Sequence, residues 1–409
     1  MTVQSRPVKF TPAPPSPTPL KPEFSGFIED RPVVLAELPD GSTAWLVSGY
    51  EQARQVAADP RFSRALAVSS ARAQQGFDAL AGASINGIDP PEHTRLRKLV
   101  ASAFTARRVD ALRPRVAGIV DELIDALLDE PQPADLVTAF SLPLPVRIIC
   151  EMLGVPTDDM EQFHAWSDTV MGDWERNSDE VMTALADMFG YFGELIEMKR
   201  AQPADDLMTA LIAARDQADR LSEDELMVMG CALLLGGHET TSNLINLSLL
   251  ALLDHPDELA KLRAKPDLIP GAVEEFLRYV RLSSLVPARV TSEEVRIGDV
   301  TIPAGETVIP LFGTANRDPS VFTDPDRFDV TRAAASSHLA FGYGVHHCVG
   351  AQLARMEMRE AFRGLLGRVP GLRLAVPAEQ LRFKQGMAIH SLCELPVKWD
   401  SDALARSTR

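Results

Sequence analysis

A lone cysteine lies among glycines in Phe341-Gly342-Tyr343-Gly344-Val345-His346-His347-Cys348-Val349-Gly350, and a helical pattern, Ala351 to Arg359, follows at once. A thiolate at such a helix start is stabilised by the positive end of the helix dipole and by free backbone N–H groups. Gly342, Gly344 and Gly350 have no Cβ, so the backbone can turn sharply and lie close to a flat ligand. The arrangement suits a cysteine that ligates a metal from below. A lone cysteine is ordinarily a small core residue, and His346, His347 and Cys348 are all potential zinc ligands. Zinc needs partners, however, and the chain contains neither a CxxC pair nor a CxxCH haem-attachment motif.

A second group with chemical potential interrupts a helix. Leu221-Ser222-Glu223-Asp224-Glu225 carries a helix-start signature, with Ser222 as N-cap and Glu225 at the third helical position. The run from Leu226 to Leu235 is apolar on nearly every side, which marks a buried helix. A membrane span needs about 20 apolar residues, and His238 and Glu239 break this run. Gly236-Gly237-His238-Glu239-Thr240-Thr241 puts small and polar groups in its middle. Unpaired polar groups cost several kcal/mol there, and Gly costs up to about 1 kcal/mol against Ala. A structural account is a kink with back-bonding threonines. A functional account is a local widening beside an acid and an alcohol that pass protons. The order His-Glu-Thr-Thr-Ser is not HExxH, so a metalloprotease is excluded.

Two charged pairs sit at helical spacing. His93 and Arg97 are four apart and share a face. They open a stretch, His93 to Arg115, with seven Lys or Arg side chains and one acid, Asp110. In a chain of net charge −16 this local excess is conspicuous, and it reads either as a solvated face or as a docking patch. Glu275 and Arg278, three apart, can pair on a second helix.

Taken together, the order Phe-Gly-x-Gly-x-His-x-Cys-x-Gly resembles the haem-binding loop of cytochrome P450, and the resemblance extends over roughly residues 25 to 400. It implies a soluble bacterial enzyme of the actinomycete tailoring type, mainly α with a smaller β-rich region, carrying haem b. By resemblance, Cys348 ligates the iron, and His93, Arg97, Arg289 and His346 neutralise the haem propionates. Gly237, Phe341, Gly342 and Gly350 complete the cofactor contacts. Thr240 matches the family's alcohol and Glu239 its acid, although Gly236 stands where Ala is usual. Leu80, Ile85, Leu235, Leu285, Val286, Met387 and Ile389 would face the substrate. Glu275, Arg278 and Arg327 would form a buried ion network that holds the fold around the haem. The implied reaction inserts one oxygen atom from O2 into a C–H bond, by hydroxylation or epoxidation, of a small and largely apolar secondary metabolite. A separate ferredoxin and ferredoxin reductase would deliver the electrons. Rival readings on the same fold are a peroxide-driven or oxidative-coupling haem enzyme and a catalytically silent helper. The Glu239–Thr240 pair counts against the first, and Cys348 against the second.

The elements that must position these residues follow from composition and pattern. The 409 residues, 45% of them apolar, are ample for a large core. Length alone suggests two or three domains, which the resemblance replaces with one haem domain, 25–400, between a proline-rich arm, 1–24, and a short tail, 401–409. Four scattered cysteines make no disulfide framework, and a cytoplasmic setting is expected. The acidic charge argues against nucleic acid as a partner, and no signal peptide or membrane anchor is evident. A monomer is expected. The patterns predict a hairpin over 32–47, helices near 50–58, 109–128, 142–153, 161–171, 180–200 and 270–280, and a second hairpin turning at Gly298-Asp299. Methionines and aromatics crowd the two helices before residue 200, among them Phe163, Trp166, Met188, Tyr191 and Phe192; at this spacing they are core first and pocket roof second.

Overall fold

Hydrogen-bonded turns and caps set the element boundaries in the computed structural model, which describes residues 7–10, 31–69, 84–171, 178–218, 221–283, 287–385, 387 and 389–401. Of the proline-rich arm, β1 (Val8–Lys9) runs parallel to β2 (Val33–Glu37), and Phe10 is buried beside it. β2 and β3 (Thr43–Val47) form the expected hairpin, with Val33 opposite Val47 and Glu37 opposite Thr43. Asp40 closes the turn by accepting from the Ser42 amide and hydroxyl. Then follow α1 (Tyr50–Ala58), β4 (Phe62–Ser63) and α2 (Arg64–Ser69). The remaining strands of this sheet come late in the chain, so that its order is β1-β2-β3-β9-β6-β4, with β6 at Arg289–Thr291 and β9 at Thr307–Pro310.

The helical body begins with α3 (Glu92–Ala101) and α4 (Ala106–Asp129), then β5 (Ala134–Asp135) and α5 (Pro143–Leu153). α6 (Met160–Val170), α7 (Ser178–Ala201) and α8 (Leu207–Ala218) precede α9 (Glu223–Leu253). α10 (Pro256–Ala264) and α11 (Ile269–Tyr279) close this half. Between β6 and β9, β7 (Val295–Ile297) and β8 (Val300–Ile302) make the second expected hairpin, with Gly298 at φ +57° in its turn. α12 (Phe312–Ala315), α13 (Ala351–Arg368), β10 (Arg373–Leu374) and β11 (Pro396–Lys398) complete the chain. α8 and α10 were not legible in the pattern, because neither carries a clean apolar stripe.

α9 is the axis of the helical body, packed by α5, α7, α11 and α13. Its start is the capping box expected of Ser222 and Glu225, with both reciprocal bonds formed. The aromatics of α6 and α7 pack on one another, Phe163 lying 4.7 Å from Tyr191 and 5.3 Å from Trp166 between ring centroids. Phe163, Met188 and Phe192 are wholly buried, so they act as core.

The pair on α11 is fully buried and bidentate: Arg278 Nε and Nη2 meet Glu275 at 2.6 and 2.7 Å. The rest of the Arg278 guanidinium is satisfied by the carbonyls of Asn316 and Pro325. Arg327 does not complete this network as expected. Its side chain is mostly exposed and lies 3.8 Å from Asp329, and only its backbone carbonyl accepts from Arg278. The third charge is Arg332, whose Nε lies 3.1 Å from Glu275. The turn over 324–327 explains the difference, since it points the 327 carbonyl inward and the side chain out. Leaving a buried guanidinium unpaired costs about 3–5 kcal/mol. Glu275→Ala should therefore lower the unfolding free energy by an amount in that range, whereas Arg327→Ala should change it by no more than about 0.5 kcal/mol, both read by chemical denaturation.

Candidate active site

The cysteine loop holds its shape through backbone bonds. Cys348 N–H donates to Phe341 O at 2.9 Å, and Gly342 N–H donates to Leu339 O at 2.9 Å. Gly342 and Gly344 both adopt φ +73°, where a side chain would be strained. A Cβ on Gly344 would also stand 2.5 Å from Ala57 O at the end of α1. Gly350 then starts α13. Burial pushes the Cys348 thiol up, while the Gly350 and Ala351 amides and the Arg97 and Arg355 guanidiniums pull it back down. These are the helix-start and cationic influences that stabilise a thiolate.

Beneath the loop, Arg355 stacks on Phe341, 4.6 Å from its ring centre. Its Nε is 2.9 Å from Glu274 on α11, which also meets Arg359 and His338, each at 3.2 Å. Glu274 is thus the bolt between α11, α13 and the loop, a role the sequence reading did not assign it. Burial pushes its carboxyl up, but the bonds from His338 and Arg355 prevail and bring it to about 2. A depressed carboxyl contributes stability above its unfolded value and loses it as pH falls through the folded one. The stability difference between the parent and Glu274→Gln should therefore be full at neutral pH and shrink from about pH 4.5 down to about 2. Denaturation series at stepped pH measure this, and a difference that stays constant would contradict it.

The nitrogen groups expected near the propionates do converge. His93 on α3 is 2% exposed, and its ring lies 4.4 Å from that of His346. Neither His93 nitrogen has a hydrogen-bond partner, nor has Nε2 of His346 or Nε of Arg289. Arg97 donates to His347 O. Burial, with Arg64 beside it, lowers Arg289 to about 10. Burial and then Arg289, His93, Arg64 and Arg97 lower His346 to about 3. Each cation thus suppresses the next, and Asp89, the carboxylate close by, is taken up by Ser63 and the Arg64 amide. The cluster combines two guanidiniums with buried nitrogens that no described residue pairs, a composition suited to an anion.

α9 presents its polar residues in three directions, as a 3.6-residue period requires. Gly236 and Thr240, four apart, share one side. Beyond the helix's own backbone, no atom of the described residues lies within 4 Å of a Cβ built on Gly236, and Thr240 Oγ1 donates to Gly236 O at 2.9 Å. Gly237 faces elsewhere: a Cβ there would stand 2.7 Å from Ile149 on α5. The expected cofactor contact of Gly237 is therefore corrected to a helix-packing role, and Gly236 is the glycine that opens space. Glu239 is 3% exposed, and burial raises its carboxyl. Asn243, one turn on, donates to it at 2.8 Å. Asn243 escaped notice in the sequence, although its i+4 spacing from an acid in an apolar helix is the signal that would have found it.

Of the residues expected to face a substrate, Leu80, Leu285 and Val286 lie outside the described residues. Ile85, Leu235 and Ile389 are buried, and Met387 is half-buried. Ile85 and Leu235 belong to the main core cluster.

Comparison with known proteins agrees with this arrangement. The family profile described as Cytochrome P450 matches residues 40–368. The chain is 46% identical over 382 residues to Nocardicin C N-oxygenase of Nocardia uniformis subsp. tsuyamanensis, covering 93% of this chain and 96% of that one. It is 44% identical over 372 residues to Mycinamicin IV hydroxylase/epoxidase of Micromonospora griseorubida, covering 91% and 93%. The crystal structure of the LnmA cytochrome P450 hydroxylase from the leinamycin biosynthetic pathway of Streptomyces atroolivaceus superimposes with a TM-score of 0.88 at 41% identity, over 96% of this chain and 100% of that one. With a family match over most of its length and relatives at this identity, the chain is a member of the cytochrome P450 family, a haem b monooxygenase.

Proposed function

We propose that this enzyme oxygenates a small, largely apolar secondary metabolite, with Cys348 as the thiolate ligand of its haem. The observation that carries the reading is the set of vacant, buried nitrogen donors on His93, His346 and Arg289 next to Arg97. Two carboxylates are what such a cluster lacks, and the haem's propionates supply two. Phe341 and Gly342 would lie against the haem, and the Gly350 and Ala351 amides would support the sulfur that holds it. Once bound, the haem supplies dioxygen activation, with thiolate ligation favouring O–O cleavage.

The protein's own part is to orient the substrate and to meter protons. Thr240 holds its hydroxyl on the Gly236 carbonyl, on the open side of α9. Rotation of that hydroxyl offers a donor to the opening beside Gly236. Glu239, kept protonated by burial more readily than a surface carboxyl, is the acid that resupplies it through water. Thr240→Ala should keep electron consumption within a few-fold of the parent while product per electron falls about 10- to 100-fold, as measured by cofactor oxidation against product and released peroxide. Unchanged coupling would contradict this role and revive a peroxide-driven or oxidative-coupling mechanism.

The electron donors are a separate ferredoxin and its reductase. Lys98 in the last turn of α3 and Arg107 and Arg108 at the start of α4 are exposed. Arg113 is instead clamped by Asp110 and Glu360 at 2.9 and 2.7 Å, so it is a weaker docking residue than its charge suggests. Reversing Lys98, Arg107 and Arg108 to Glu should lower ferredoxin-driven turnover about tenfold or more at low salt. Peroxide-driven turnover should not change, and an equal loss in both assays would remove the docking claim. The relatives named for an N-oxygenase and for a hydroxylase/epoxidase keep the substrate class within secondary metabolites.

A further inference from the structure

His164, His238 and Glu239 each bring one donor atom to within 4.8 Å of the others. The first arrives on α6 and the other two on α9, so the cluster joins two helices. His238 is 1% exposed, and its Nδ1 lies 2.8 Å from Leu234 O. Donation to that carbonyl puts the ring proton on Nδ1 and leaves Nε2 a bare lone pair. Nε2 is buried and has no hydrogen-bond partner. His164 contributes a second buried ring nitrogen without a partner, Nδ1. Glu239 is steadied by Asn243 at 2.8 Å.

Three polar side chains thus face one another in the interior without bonding to one another, an arrangement that is costly unless something joins them. Two imidazoles and a carboxylate form a three-ligand zinc set that keeps a fourth position open. The backbone carbonyl on His238 and the amide on Glu239 are the outer partners that orient such ligands. Zinc bonds of about 2.0–2.1 Å require donors about 3.4 Å apart, so separations of up to 4.8 Å need to close by at most about 1.4 Å. Asp168 and Lys384 pair beside the cluster and act on it with opposite signs. His164 is half-buried and the Asp168 side chain is 40% exposed, which gives an ion a way in.

We infer that His164, His238 and Glu239 form a binding site for a divalent first-row metal ion, zinc foremost, with its fourth position open to water. A metal there withdraws the Glu239 carboxylate from proton supply and so acts as a reversible inhibitor. The inhibition rests on the role proposed above for Glu239; the site itself does not.

The test titrates zinc into the haem-loaded enzyme against a fluorescent zinc chelator. The parent should bind one zinc per chain, and His164→Ala should weaken it at least about tenfold, with His238→Gln as a second variant. The ferrous carbonyl spectrum checks that each variant is folded, and the half-buried His164 position decides should His238→Gln lose haem. Equal affinity in parent and His164→Ala, or no stoichiometric binding by the parent, overturns the site. Zinc should also slow ferredoxin-driven product formation by the parent, reversibly with chelator, and spare His164→Ala. Selective binding without slowed turnover would leave the site standing and remove the proposed role of Glu239.

Discussion

A charge taken out of water must be paired, neutralised or given an ion, and this constraint organises the molecule around α9. Each solution appears in a different place. Glu275, Arg278 and Arg332 pair completely and lock α11 to the following loops. Glu239 is pushed towards its neutral form and held by one amide. His93, His346 and Arg289 keep buried nitrogens that no group among the described residues pairs. The first arrangement is complete in the polypeptide; the last leaves groups that an anionic ligand would pair, and a ligand that paired them would stabilise the fold through its binding free energy.

Local chemistry was highly legible in the sequence. The cysteine loop, the Ser222 capping box and both hairpins were readable because their determinants lie within a few residues. Helix spacing alone paired Glu275 with Arg278. What escaped was tertiary. Arg332 replaces Arg327 because a turn reverses which part of residue 327 points inward, and no spacing rule contains that turn. Glu274 looked like a neighbour of the important acid, yet it bonds residues 64 to 85 positions away. Gly237 and Gly236 differ only by 100° around a helix, and the packing of Ile149 decides which one is the gap.

The substrate side is the least legible part for a related reason. Its expected residues come from segments scattered across the chain, and their common property is being apolar, which every core residue shares. Ile85 and Leu235 are buried in the main cluster just as neighbouring core residues are. Recognition of an apolar ligand is a matter of cavity shape, and shape is set by helix placement more than by residue type. The aromatic cluster of α6 and α7 fixes part of that placement by packing on itself.

The contact of Gly344 with Ala57 has a wider meaning. It is an approach of backbone to backbone, too close for any side chain between them. The spacing between the cysteine loop and α1 is thus a mechanical stop, insensitive to which residues fill the surrounding core. Any substitution at 344 would therefore have to push the cysteine loop and α1 apart, whatever side chain it brought.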